Sequence, residues 1–149
     1  MGLEIIIMEA IKTAMKEKNQ QALAALRAVK SELILLKTSG SLSELNETDE
    51  NKILQKLVKQ RKDSASIFSE QNREDLAIPE LEQADIISQF LPKQMSGNEV
   101  EIVVAEIISK TGANSMKDMG KVMGLTNSQL AGKADGKTIS GIVKKMLSN

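Results

Sequence analysis

The chain has 149 residues, 41% of them apolar, with 20 basic and 20 acidic side chains, two aromatics (Phe68 and Phe90), no Cys and no His. Without Cys or His it cannot form a disulfide scaffold, a histidine- or thiol-based catalytic site or the usual zinc site. The near-absence of aromatics removes the stacking platforms used to read single-stranded RNA, and balanced charge leaves room only for a local basic patch.

Its cores must be filled by Leu, Ile, Val, Met and Ala, a palette that favours helix over strand. Apolar residues at Leu3, Ile6, Ile7, Ala10, Ile11, Ala14 and Met15 follow helical spacing and predict a first helix over roughly 2–17. Asn19 is placed to cap a second helix whose inner stripe is Leu23, Leu26, Val29, Leu33 and Leu36. Gly40 is expected to end that region, and residues 39–46 read as a polar loop. A third helix opens with Glu47, Asp49 and Glu50 at its positive end and carries Ile53, Leu54, Leu57, Val58, Arg61, Ala65 and Phe68. The fourth is expected to start with Asp75 as cap or with Pro79 in its first turn, to bury Leu81, Ala84, Ile87 and Leu91, and to stop at Pro92.

Residues 91–97 read as a domain boundary, dividing an N-terminal part, 1–92, from a C-terminal part, 96–149. Ser96 and Glu99 form a capping-box pattern before a fifth helix with Val100, Val103, Val104, Ile107 and Ile108, which Gly112 closes. Ser115 and Asp118 repeat the pattern before a short sixth helix with Met119, Val122 and Met123. Residues 124–136 read as a glycine-punctuated loop, and Asp135 is expected to cap a seventh helix carrying Ile139, Ile142, Val143, Met146 and Leu147. The fold class is therefore all-α, an N-terminal four-helix bundle followed by a C-terminal three-helix bundle.

No run approaches the ~20 apolar residues of a membrane span. The first residues carry no signal-peptide pattern, and residue 6 is Ile where a myristoylation motif needs Ser or Thr. The expected location is cytoplasmic.

No catalytic constellation is visible, and neither a metal nor a cofactor is expected. Gly136-Lys137-Thr138 ends like a phosphate-binding P-loop, but position 131 is Ala where that motif needs Gly, and no strand precedes it. Beyond Ile107 the chain has seven Lys and two acids, Asp118 and Asp135, a local charge of +5. Three glycine–lysine pairs lie there, Gly120-Lys121, Gly132-Lys133 and Gly136-Lys137. Glycine lets a backbone approach phosphate and lysine supplies charge, although the same residues also serve turns and solubility. A second basic cluster is Lys59, Arg61 and Lys62. Arg27 and Arg61 fall on or beside apolar stripes, where a guanidinium needs a carboxylate partner, with Asp75, Glu80 or Glu82 as candidates.

Taken together, Leu26-Arg27 with Lys30, residues 59–64 (Lys-Gln-Arg-Lys-Asp-Ser), Arg73-Glu74-Asp75-Leu76, Leu91-Pro92-Lys93-Gln94, residues 119–123 (Met-Gly-Lys-Val-Met) and residues 132–136 (Gly-Lys-Ala-Asp-Gly) resemble the GatB/YqeY family, in particular its stand-alone YqeY-like members. The resemblance implies a four-helix and a three-helix bundle. It also implies kinship with the tail of the glutamyl-tRNA amidotransferase B subunit, a carbon–nitrogen ligase with glutamine as amido donor. In that complex the tail helps hold tRNA while other domains do the chemistry. The carry-over makes Lys121, Lys133 and Lys137 phosphate contacts and Gly120, Gly132 and Gly136 points of close approach. The expected partner is tRNA, with a tRNA-modifying or aminoacylating enzyme beside it, and no catalysis by this chain alone. Pro79 and the polar residues 125–129 depart from the family pattern. The competing reading is a helical protein–protein adaptor, which the many Met residues would suit.

Overall fold

The computed structural model describes residues 2–39 and 45–148. Among them are seven α-helices, one 3₁₀ turn and no strand: α1 (Leu3–Glu17), α2 (Gln20–Ser39), α3 (Glu47–Glu70), α4 (Glu74–Ser88), α5 (Gly97–Thr111), the 3₁₀ turn (Met116–Asp118), α6 (Met119–Gln129) and α7 (Gly136–Leu147). The chain divides into two compact units, Met1–Leu91 and Pro92–Asn149. No helix of the described residues is long and apolar enough to cross a membrane.

In the first unit α1 turns into α2 through Lys18, which takes the left-handed conformation (φ 57°). The Asn19 amide reaches back to the Ala14 carbonyl at 3.0 Å and the Lys18 amide to Met15 at 3.2 Å, the paired closure of a Schellman end. Asn19 then caps α2 as expected, its side chain accepting from the Ala22 amide at 3.0 Å. One residue thus closes one helix and opens the next. The expected stop at Gly40 lies outside the described residues. α3 opens with a capping box between Asn46 and Asp49, the side chain of each accepting from the other's amide at 2.8 and 3.4 Å.

The start of α4 differs from both expectations. Asn72 is left-handed (φ 60°), and the Arg73 and Asn72 amides close α3 on Phe68 and Ser69 at 2.8 and 3.0 Å. The chain re-enters helix at once, so Asp75 is in the first turn, not the cap, and Pro79 lies inside the helix, one turn further in. Its missing amide deprives only the Asp75 carbonyl of a donor, near an exposed helix end, so the helix continues.

The core of this unit is built from Leu3, Ile7 and Ala14 of α1, Leu23, Leu26, Val29 and Leu33 of α2, Ile53, Leu54 and Leu57 of α3, and Ala84 and Ile87 of α4. Three apolar stripe residues are exposed instead: Ile6, Met15 and Leu81 are 39%, 56% and 45% exposed. α1 packs chiefly on α2, so a single arc of its surface is covered. On α4 the buried face runs through Ala77, Ala84 and Ile87, with fully buried Ala77 in the role expected of Leu81.

In the second unit Val100, Val104 and Ile107 of α5, Val122 of α6, and Ile139, Val143 and Leu147 of α7 form the core, joined by Leu130 and Ala134 of the α6–α7 loop. Each such aliphatic side chain contributes about 1.5–3 kcal/mol on leaving water. The predicted capping box at Ser96 and Glu99 is present, as are the left-handed Gly112 (φ 71°) and the Asp135 cap, which accepts from the Thr138 amide at 2.6 Å. Ser115 and Asp118 do not form the same box. Ser115 caps the 3₁₀ turn through the Lys117 amide, and the Asp118 carboxylate accepts from the Asn114 amide at 3.1 Å. Residues 124–129, expected in a loop, are the last two turns of α6. Thr126 is fully buried there, its hydroxyl donating to the Val122 carbonyl at 2.7 Å, so a polar residue sits in the core with its hydrogen bond satisfied.

Candidate nucleic-acid interface

The balanced charge of the chain hides a separation between the two units. The first carries 12 basic and 15 acidic side chains, a net −3; the second carries 8 and 5, a net +3. Positive potential therefore belongs to the second unit, and the lysines there are available. Lys117, Lys121, Lys133, Lys137 and Lys144 are exposed and make no ion pair among the described residues. Lys145 alone of the stretch pairs, with Glu101 at 3.7 Å.

The three glycine–lysine pairs do not converge on one point. Lys121 lies in the first turn of α6, whereas Lys133 follows its end and Lys137 opens α7. The nine helical rises from Lys121 to the C-cap Leu130 span about 14 Å. The short loop between α6 and α7 turns the chain back, and α7 packs on both α6 and the 3₁₀ turn. Lys133 and Lys137 therefore mark one end of the α6–α7 pair, and Lys117 and Lys121 mark the other, where α7 ends with Lys144.

The glycines differ as well. Gly120 and Gly136 are exposed, and a Cβ added at either meets nothing within 4 Å, so packing of the chain itself does not require glycine there. Gly132 is buried and left-handed (φ 82°), a conformation that does call for glycine. Its carbonyl accepts from Gln94 Nε2 at 2.7 Å, and the same nitrogen reaches the Pro92 carbonyl at 3.0 Å. The Met95 amide donates to the Lys133 carbonyl at 2.8 Å. Adjacent residues before α5 thus clamp adjacent residues of the α6–α7 loop. At the start of α7 the Asp135 carboxylate occupies the helix N-terminus, which counts against a P-loop-like phosphate seat there.

The first-unit cluster is differently organised. Lys59 is engaged by Asp63 at 2.6 Å, and Lys62 is exposed. Arg61 is half-buried, and its partner is none of the three carboxylates expected. Its Nε donates to Gln83 Oε1 at 3.2 Å, and Gln83 Nε2 donates to Gln21 Oε1 at 2.9 Å, a polar chain through α3, α4 and α2. Asp75 is taken by Arg73 in a two-pronged fork at 3.0 Å on each side. Hydrogen bonding to that guanidinium holds the Asp75 carboxyl below its usual range and raises Arg73. Arg27 is exposed. Among the described residues no three carboxylates gather to hold a metal. Lys117 and Lys144 were countable in the +5 stretch, but no motif singled them out.

The family model described as Yqey-like protein matches residues 5–147, nearly the whole chain and both units. The chain belongs to the YqeY-like family. The altered inheritance of mitochondria protein 41 of the yeast Clavispora lusitaniae, described as mitochondrial, is 29% identical over 124 residues, covering 81% of this chain and 72% of that protein. The YqeY-like match takes in every segment of the basic second unit described above, from the Gln94 clamp to the Lys137 turn.

Proposed function

We propose that this YqeY-like chain is a tRNA-binding module, with the second unit as its RNA-facing part, associated with tRNA-dependent amidotransferase chemistry but not catalytic alone. The observation that carries the reading is the set of exposed, unpaired lysines on a unit of net +3, with the two acids of its C-terminal stretch engaged by backbone amides, Asp118 by Asn114 and Asp135 by Thr138. Charge placed at both ends of α6 suits an extended polyanion, and a mononucleotide is too short to meet both ends. Contact would be to phosphate and sugar, since stacking side chains are lacking. The family, to which the tail of the amidotransferase B subunit is related, supports tRNA as the polyanion. The four-helix and three-helix bundle grouping, a bacterial cytoplasm as the setting, and a tRNA-modifying or aminoacylating enzyme as neighbour belong to the same reading. Lys121, Lys133 and Lys137 are its contacts, with Gly120 and Gly136 as points of close approach. Gly132 serves the clamp that holds Lys133, and Lys59, Arg61 and Lys62 form a secondary cluster.

The test is the double variant Lys121→Ala/Lys133→Ala, titrated with total bacterial tRNA. Affinity should fall more than tenfold with the helical circular dichroism signal unchanged. Equal affinity would move the site to Lys59, Arg61 and Lys62.

A second reading, a protein–protein adaptor, is favoured by the exposed Ile5, Met8 and Met15 of α1 and Ile34 and Leu35 of α2. It predicts tRNA-independent capture of a partner, insensitive to salt and abolished by Met8→Glu.

A further inference from the structure

The clamp between residues 94–95 and 132–133 joins two segments 38 residues apart in sequence, and it brings a lysine outside the three glycine–lysine pairs to the same place. Lys93 precedes Gln94 directly. It is exposed and has no ion-pair partner among the described residues. Its backbone is fixed on both sides, by Gln94 Nε2 on the Pro92 carbonyl at 3.0 Å and by the Met95 amide on the Lys133 carbonyl at 2.8 Å. We infer that Lys93 is a further phosphate-contacting residue of the RNA-facing unit and that Gln94 is the positioning residue that holds it beside Lys133. This rests on the tRNA-binding reading and extends it to a segment outside the +5 stretch.

The physical argument is preorganisation. A lysine on a free linker loses backbone freedom on binding, whereas one clamped beside a second lysine has lost it already. Gln94 suits the task because a single side-chain amide donates to carbonyls on both segments, Pro92 and Gly132. Gly132 suits it because the left-handed backbone at that point excludes most side chains. With Lys133 and Lys137, Lys93 gives three cations at one end of the α6–α7 pair.

The experiment uses the full chain and total bacterial tRNA, with binding measured across a salt series for wild type and three variants. Each lysine–phosphate contact contributes about 0.7–0.9 to the slope of log K against log salt. Lys93→Ala should lower that slope by about one contact. Gln94→Met, which keeps the side chain's length but cannot donate, should weaken binding several-fold with the slope unchanged. Lys110→Ala, at the far end of α5, should do neither. An unchanged slope in Lys93→Ala overturns the contact. Unchanged affinity in Gln94→Met overturns the positioning role. Equal slope losses in Lys93→Ala and Lys110→Ala make the effect one of overall charge and overturn the site. Absence of salt-sensitive binding in the wild type defeats the tRNA reading itself, and the inference with it.

Discussion

Lys18 sits at φ 57°, where a Cβ is disfavoured by roughly 1–2 kcal/mol and glycine is not. Lys18→Gly should therefore raise the stability of the first unit by about 0.5–1 kcal/mol in urea unfolding, after the larger entropy of a glycine in the unfolded chain is counted. Glu50 makes the opposite case. α1 has no side-chain cap of its own, and the Glu50 carboxylate of α3 accepts from the Leu3 amide at 3.0 Å. Glu50→Ala should cost about 1 kcal/mol and fray the start of α1, while Glu50→Gln, which keeps an acceptor, should cost less. The Arg73–Asp75 fork gives a pH prediction. Because the Asp75 carboxyl is held below its unfolded value, its contribution is present above the usual carboxylate range and is lost as pH falls through the lowered value. In an NMR titration the Asp75 carboxyl should shift toward its ordinary range in Arg73→Ala, and an unmoved titration would remove the fork as the cause.

At the scale of elements, α6 combines a mid-helix Gly124 with a buried threonine, and both bear on its stability. A Cβ at Gly124 meets nothing within 4 Å, and its φ is not positive. Gly124→Ala should therefore stabilise the second unit by about 1 kcal/mol, read as a higher thermal midpoint. These two residues and the pair that follows Thr126 explain why α6 was the least legible helix. Gly124, Thr126, Asn127 and Ser128 carry loop-like local preferences, and the helix forms across them because Val122 and Leu130 bury at either end and Thr126 satisfies its hydroxyl within the turn. α5 and α7 were legible because their caps, Ser96 with Glu99 and Asp135, and their apolar stripes agree. The start of α4 was not, since the signal that sets it is a left-handed Asn72 just upstream and not Pro79 itself. For the candidate site, the lysines could be counted in the sequence. Their division between two ends of α6 could not, nor could the engagement of Lys59 by Asp63 or the turn of Arg61 toward Gln83, because these depend on which faces meet. The Gln94–Gly132 contact has no local pattern at all; only the fold brings those residues together.

For the whole molecule, the consequence is a neutral chain whose charge is sorted by unit, −3 and +3, so net charge says little about what it binds. Among the described residues the first unit pairs five of its twelve basic side chains with acids, in Lys12–Glu9, Lys37–Glu4, Lys56–Glu32, Lys59–Asp63 and Arg73–Asp75. The second pairs one of its eight, Lys145 with Glu101, and leaves the other lysines to solvent. Exposed pairs of this kind contribute little to stability, so the difference matters for partners more than for folding. The central claim is that these free lysines hold tRNA through its phosphates. The most direct measurement is the affinity of the full chain for total bacterial tRNA at low and moderate salt. With three to four phosphate contacts, raising salt from about 50 to about 200 mM should weaken binding roughly twenty- to 150-fold. An affinity that does not change with salt, or no binding at the lower salt by a folded chain, would contradict the account and leave the apolar surface of α1 and α2 as the functional face.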